Sequence, residues 1–138
     1  MTPVPATTPA QPPASRASGH APHVLVVDDD FLSGLAMKNY LGRIGFRTSF
    51  ATDGRQAIDL AGRDPIDALV TDFRMPNLNG AELVRHLRAD TPDLAVVVLT
   101  GYAPDAEDAL GTGAERLVIM DKPVDPTAVE KAVRGLLG

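Results

Sequence analysis

Five short apolar runs alternate with segments of helical periodicity along this chain. The runs are HVLVV at 23–27, FRTSFA at 46–51, IDALVT at 66–71, LAVVVL at 94–99 and RLVIM at 116–120. Alternation of this kind indicates βα units, and runs that are apolar throughout are typical of strands buried on both faces. The sequence therefore predicts an α/β fold in which one parallel sheet is covered by helices.

The segments between the runs carry apolar stripes that predict helices. The first stripe ends at Gly45, a residue that commonly terminates helices. The fourth segment, at 104–112, offers mainly alanine and is the weakest helix, which makes it a candidate for movement. The stripes are Gly34, Met37, Leu41 and Ile44; Ala57, Leu60 and Ala61; Gly80, Val84 and Leu87; and Val129, Val133 and Leu136.

The bulk composition excludes several classes of function. A length of 138 residues with 44% hydrophobic and 22% charged residues suits one globular domain. The net charge of -5 and the lack of a basic stripe argue against a nucleic-acid-binding surface. The absence of cysteine excludes disulfides and thiolate metal sites and fits a reducing compartment, so we expect a cytoplasmic protein. No apolar run approaches the roughly 20 residues that a membrane helix needs.

Residues 1–22 differ in composition from the rest of the chain. They hold six of the 12 prolines with Ala, Thr and Ser between them, and they contain no continuous apolar segment of a secretory signal. Such a stretch buries too little surface to offset its ordering entropy. We therefore predict a disordered tail at 1–22 and a folded domain at 23–138. We expect no ordered role for His20 and His23, which flank this tail, and a solvated helix face for His86.

Polar residues follow the ends of the predicted strands. The first run leads into Asp28, Asp29 and Asp30, the third into Asp72, the fourth into Thr100, and the fifth is followed by Lys122. In an open parallel sheet these side chains converge on the edge where ligands bind. Carboxylates suit Mg²⁺, and an ammonium with a hydroxyl suits a phosphoryl group. The set predicts a site for Mg²⁺ and a phosphoryl group, with one of the three acids serving only as a helix cap.

The stretches VLVVDDD, LVTDFRMPNLNG, VVVLTGY and DKPV resemble, in this order, the receiver domain of two-component response regulators, of the chemotaxis-protein-like superfamily. The resemblance covers residues 23–137. It implies a doubly wound (βα)₅ flavodoxin-like fold with a five-stranded parallel sheet in the order 2-1-3-4-5.

The resemblance also implies residue roles. Asp72 would accept a phosphoryl group from a histidine kinase or a histidine phosphotransfer protein. Thr100, Gly101 and Lys122 would bind the phosphoryl group, and the bond from Lys122 to Pro123 would be cis. Asp30 has no ligand role in the family and is expected to start the first helix. The implied Mg²⁺ ligands are Asp28, through water, Asp29, Asp72 and the backbone carbonyl of Arg74.

Ile119, Tyr102 and Arg74 bear on how such a domain would change conformation and lose its phosphoryl group. Many members carry an aromatic residue three positions before the lysine, but this chain has Ile119. We hypothesise that Tyr102, two residues after Thr100, partly replaces that aromatic; the alternative is that Tyr102 only packs on a helix. We also hypothesise that Arg74 screens the aspartyl phosphate from water.

Two other functions stay open at this point. A haloacid-dehalogenase-like phosphatase would use Asp28 and Asp30 as its acid pair, although Leu32 and the short chain fit that family poorly. A receiver-fold interaction module would work without phosphorylation, but crowded acids would destabilise a pure scaffold. We favour a stand-alone receiver that acts as a phosphoryl shuttle, or as a switch that binds a protein partner through its fourth helix, fifth strand and fifth helix. It would not be an enzyme on external substrates, and it would bind neither nucleic acid nor the membrane interior.

Overall fold

The computed structural model describes residues 21–111 and 114–138, which form five βα units around one parallel sheet. The strands are β1 (His23–Val27), β2 (Arg47–Ala51), β3 (Ala68–Asp72), β4 (Ala95–Thr100) and β5 (Leu117–Asp121). The helices are α1 (Phe31–Arg43), α2 (Gly54–Arg63), α3 (Gly80–Asp90), α4 (Ala103–Leu110) and α5 (Pro126–Leu137). The sheet order β2-β1-β3-β4-β5 confirms the predicted doubly wound α/β fold.

The core lies in two layers, one on each face of the sheet. Alternate residues of a strand point to opposite faces, so Leu25 and Val27 of β1 pack with α2, α3 and α4, whereas Val24 and Val26 pack with α1 and α5. All four side chains are almost completely buried. This two-sided burial explains why the strands read as uninterrupted apolar runs.

Three strands extend one residue beyond their predicted ends. β3, β4 and β5 finish at Asp72, Thr100 and Asp121, whereas the predicted runs finish at residues 71, 99 and 120. Asp72 is in register with Leu99, and Thr100 with Asp121, which defines the alignment of β5. Sheet pairing therefore holds the backbone of two predicted site residues.

His23 corrects one prediction. It is the first residue of β1 and is only 1% exposed, so it belongs to the core and not to the tail. Its Nδ1 lies 2.9 Å from the carbonyl oxygen of Pro65, and its Nε2 lies 2.7 Å from Ser49 Oγ. The predicted strand at 23–27 already included His23, but no ordered role was predicted for its side chain because its partners, Pro65 and Ser49, lie far from it along the chain. His20 and the predicted tail up to residue 20 lie outside the described residues.

Gly80 allows a close approach that positions the site. A Cβ at this first residue of α3 would lie 2.5 Å from the carbonyl oxygen of Asp72 and 2.9 Å from the Cα of Phe73. The Gly80 N–H donates a hydrogen bond to the carbonyl oxygen of Phe73. Only glycine lets α3 begin this close to the end of β3. Within the described ranges, no helix combines the length and apolar character that crossing a membrane would require.

Candidate functional site

Three carboxylates meet at the carboxyl edge of the sheet. Asp28 and Asp29 follow β1, and Asp72 ends the neighbouring strand β3. One oxygen from each of the three lies within 4.8 Å of the others. Asp28 and Asp72 are buried, with 8% and 3% of their surface exposed, whereas Asp29 is exposed. The cluster is thus open on one side, as a site that admits a ligand must be.

The electrostatic environment of Asp72 disfavours its charged form. Burial is the main cause, and the nearby carboxyl of Asp28 adds to it; Lys122 opposes both, and the pKa of Asp72 is raised to about 7. Its Oδ1 is fully buried, pairs with the ammonium of Lys122 and has no further hydrogen-bond donor among the described residues. A buried carboxylate oxygen in this state is costly to the protein alone and is suited to binding a cation.

Lys122 supplies the positive charge of the site. Its Nζ lies 2.7 Å from Asp72 Oδ1, an ion-pair contact. Burial acts to lower the pKa of Lys122, but the hydrogen-bonding and charge of Asp72, with the charges of Asp28 and Asp29, outweigh it and raise that pKa. The Lys122 backbone N–H donates to the carbonyl oxygen of Thr100 at 2.8 Å, and the bond to Pro123 is cis.

Thr100 lies at the end of β4, between the strands that carry Asp72 and Lys122, and is 3% exposed. Its hydroxyl donates to the carbonyl oxygen of Tyr102 at 3.2 Å and accepts from the Tyr102 N–H at 3.1 Å. The hydroxyl is therefore engaged with the start of α4. Gly101 is exposed between these two residues. The Tyr102 side chain is 60% exposed and caps α4 without a side-chain hydrogen bond.

The side chain of Arg74 lies away from the carboxylate cluster. Its Nη2 forms an ion pair with Asp105 Oδ2 in the first turn of α4. Sequence reasoning missed Asp105, because nothing in the order of residues connects position 74 with position 105. Ile119, the position that is often aromatic in the resembled family, is half-buried in β5 and packs against the core layer that includes Ala106.

Asp30 fills the predicted role of a helix cap. Its side chain accepts hydrogen bonds from the N–H groups of Leu32 and Ser33 and from the Ser33 hydroxyl. The hydrogen bonds from Ser33 are the main reason that the pKa of Asp30 is lowered. Asp28 is oriented by a related contact, because its Oδ1 accepts the Asp30 N–H at 2.8 Å.

A cavity of about 590 Å³ opens beside the acids. Its polar lining includes Asp28, Asp29, Asp72 and Lys122. Apolar side chains from β1, β4, α1 and the segment after β5 also line it. The apolar lining was not predicted, because Val26 and Leu99 were assigned only to strands and Met37 only to a helix stripe. Its members are Val26, Ala36, Met37, Leu99, Pro123, Val124 and Pro126.

Comparison with known proteins agrees with this architecture. A family model described as the response regulator receiver domain matches residues 24–134. The response regulator MprA of Mycolicibacterium vanbaalenii is 36% identical over 114 residues, which cover 83% of this chain and 49% of that protein. MprA of Mycobacterium leprae is 34% identical over the same length. The chain thus spans about half the length of the curated relatives that it matches.

Solved structures show the same likeness. A response regulator receiver domain protein from Clostridium thermocellum superposes with a TM-score of 0.76 at 27% identity, covering 84% of this chain and 94% of that chain. A receiver protein from Sinorhizobium medicae gives the same TM-score and identity and covers 85% of this chain.

The fold and the site together define a doubly wound domain with a cluster of three carboxylates and a lysine at the carboxyl edge of its sheet. The chain belongs to the response regulator receiver domain family of two-component signalling. Receiver domains of this family bind Mg²⁺ at an acidic pocket, interact with histidine kinases or phosphotransfer proteins, and are generally not enzymes in the usual sense.

Proposed function

We propose that this protein accepts a phosphoryl group on Asp72 in a Mg²⁺-dependent reaction, and that the donor is a histidine kinase or a histidine phosphotransfer protein. The observation that carries the proposal is the setting of Asp72. It is buried beside two other carboxylates, and among the described residues its Oδ1 pairs with the ammonium of Lys122 and has no further hydrogen-bond donor. No structural requirement of the sheet explains such a set.

The three carboxylates fit a divalent cation. Asp29, Asp72 and the backbone carbonyl of Arg74 would hold Mg²⁺, with Asp28 assisting through water, and all of these are the oxygen ligands that Mg²⁺ prefers. When bound, Mg²⁺ would reduce the repulsion between a carboxylate nucleophile and the phosphoryl oxygens. The burial of Asp72 Oδ1, which the ammonium of Lys122 alone compensates among the described residues, is the observation that favours this assignment.

Apart from Mg²⁺, the transfer needs only protein groups at the carboxyl edge of the sheet. A carboxylate oxygen of Asp72 forms a bond to phosphorus, while the bond from phosphorus to the donor's histidine nitrogen breaks and that nitrogen keeps the electron pair. The ammonium of Lys122 forms an ion pair with a phosphoryl oxygen. The Thr100 hydroxyl and the Gly101 N–H donate to the other phosphoryl oxygens, which requires the Thr100 hydroxyl to leave its present partner, the Tyr102 carbonyl.

The phosphorylated protein would act on a protein partner or pass the group onward in a relay, in the cytoplasm. We assign partner binding to the face that α4, β5 and α5 form, because α4 is the least anchored helix, with Ala106 as its single buried residue. The folded unit that does this work would be residues 23–138, with 1–22 as a tail.

The alternative of a haloacid-dehalogenase-like phosphatase would require Asp30 beside Asp28 as a working acid. The side chain of Asp30 is instead occupied by the first turn of α1. A phosphorylation-independent interaction module would not need the buried acids, whose mutual repulsion opposes folding.

The test is uptake of a phosphoryl group from phosphoramidate or acetyl phosphate with Mg²⁺, followed by trapping of the acyl phosphate and location of the label. Label on Asp72, lost in Asp72→Asn and after chelation of Mg²⁺, supports the proposal. Label on Asp28 would support the phosphatase, and a protein that stays unmodified under all these conditions would support the interaction module.

A further inference from the structure

The ion pair between Arg74 and Asp105 joins the loop after β3 to the first turn of α4. We propose that Asp105 is a positioning residue that competes with the phosphoryl group for the side chain of Arg74, and thereby sets how long Asp72 stays phosphorylated. The inference deepens the proposed function and rests on it, because it requires a phosphoryl group on Asp72.

The geometry places Arg74 between two possible anionic partners. Arg74 stands two residues after Asp72, which is at most about 7 Å along an extended backbone, and its guanidinium now pairs with Asp105. The two side chains are 75% and 38% exposed. Neither lines the cavity that contains Asp72 and Lys122. Asp105 therefore holds the guanidinium outside the site.

Phosphorylation of Asp72 would create a second partner for the same cation. The phosphoryl group is doubly charged near neutral pH, and a guanidinium binds its oxygens through two parallel hydrogen bonds. The competing partner, the carboxylate of Asp105, carries only one negative charge. Exposed ion pairs are weak, but a five-fold bias between two positions of a side chain corresponds to only about 1 kcal/mol.

The position of Arg74 matters for loss of the phosphoryl group. In hydrolysis a water oxygen forms a bond to phosphorus, the bond from phosphorus to the Asp72 oxygen breaks, and the carboxylate leaves with the electron pair. Inorganic phosphate is released, and the proton that the water loses passes to solvent. A guanidinium lying on the phosphoryl oxygens obstructs the approach of that water. Arg74 held by Asp105 does not obstruct it, so Asp105 favours hydrolysis.

Removing the charge of Asp105 should leave α4 in place. Ala106 remains buried against the core, and Arg85 Nη1 still donates to the carbonyl oxygen of Ala109 at 3.3 Å. Asp108 provides a matched control, because it is an exposed aspartate of the same helix whose side chain makes no hydrogen bond or ion pair with any residue in the ranges 21–111 and 114–138.

The experiment measures the lifetime of the acyl phosphate after labelling with phosphoramidate and Mg²⁺ and removal of the donor. We expect Asp105→Asn to lengthen the lifetime by about two- to five-fold, the range that an exposed ion pair allows. Arg74→Gln should shorten it, because the screening is lost. The double variant Arg74→Gln with Asp105→Asn should match Arg74→Gln alone, and Asp108→Asn should match the wild type.

Two results would overturn the inference while leaving the proposed function intact. One is a labelled wild type whose lifetime equals that of Asp105→Asn; the other is a lengthening by Asp105→Asn that persists when Arg74 is already replaced. A wild type that never takes up the label would instead overturn both. Should the amide variant fail to fold, Asp105→Ala, which suits a helix, makes the same comparison.

Discussion

Lys122 Nζ lies 2.7 Å from Asp72 Oδ1, although Asp72 ends β3, Lys122 follows β5, and β4 lies between these two strands. The lysine lowers the cost of the buried charge but does not cancel it, since burial and Asp28 still raise the pKa of Asp72 to about 7. The positive charge of Lys122 therefore compensates only part of the cost of burying the charged Asp72 carboxylate. A cation at the three carboxylates would complete this compensation, which links the stability of the domain to its proposed chemistry.

Replacing Asp72 by asparagine should stabilise the protein in the absence of Mg²⁺, and increasingly so at higher pH. The folded pKa of about 7 lies above the ordinary value of 3.8. The folded state therefore holds a proton that the unfolded state has lost, and the wild type loses stability as the pH rises from about 4 through 7. We expect the difference in Tm, Asp72→Asn minus wild type, to grow across this window and then level off.

The plateau should reach at least about 4 °C, because 1 kcal/mol corresponds to roughly that shift in a domain of this size. Thermal unfolding in a chelating buffer at several pH values measures it. Asp108→Asn, at an exposed site, should show a difference that does not vary with pH. A flat difference for Asp72→Asn as well would contradict the assigned environment of Asp72.

Mg²⁺ should raise the thermal stability of the wild type. A ligand that binds only the folded state at ten times its Kd stabilises by about 1.4 kcal/mol. Asp29→Asn should lose most of this effect, because it removes a ligand from a cluster whose oxygens lie within 4.8 Å of one another. Tm measured with MgCl₂ against NaCl of equal ionic strength provides the readout. Equal shifts in Asp29→Asn and wild type would show that the cluster does not bind the cation.

Tyr102 should report on the state of the site. Its backbone N–H and carbonyl are both bonded to the Thr100 hydroxyl, while its ring is 60% exposed at the start of α4. Any movement of that hydroxyl toward a phosphoryl group disturbs residue 102. We expect Tyr102→Ala to change the phosphoryl lifetime or partner affinity by about two-fold or more, and Tyr102→Phe, which keeps the ring, to resemble the wild type. If Tyr102→Ala leaves both quantities unaltered, Tyr102 only packs on the surface.

The fold and most of the polar residues at the carboxyl edge of the sheet were predictable, because they depend on short sequence patterns. Apolar runs buried on both faces identify β1, β3 and β4, and residues that follow such runs must meet at one edge of a parallel sheet. Asp28, Asp29 and Asp72 followed from this rule. The sequence predicted that one of the three acids would cap the first helix, and the family resemblance identified that acid as Asp30.

Contacts between distant side chains were not predictable. The pairing of Arg74 with Asp105 depends on where α4 lies over the sheet, and no spacing rule describes that. The burial of His23 depends on acceptors from two other segments, Pro65 and Ser49, which local composition does not reveal. The hydrogen bonds between the Thr100 hydroxyl and the backbone of Tyr102 join residues that are close in sequence, but they depend on the conformation of the loop after β4, which the sequence does not specify.

Gly80→Ala should destabilise the protein although alanine is the better helix former. A Cβ at Gly80 would lie 2.5 Å from the Asp72 carbonyl oxygen and 2.9 Å from Phe73 Cα, and backbone atoms of a central strand cannot move aside cheaply. Gly135→Ala in α5 is the matched control, because a Cβ there meets nothing within 4 Å. The control should gain about 0.5–1 kcal/mol in free energy of unfolding, as expected for glycine replaced within a helix. Denaturant unfolding compares the two variants, and a Gly80→Ala protein as stable as Gly135→Ala would mean that α3 does not need its close contact with the end of β3.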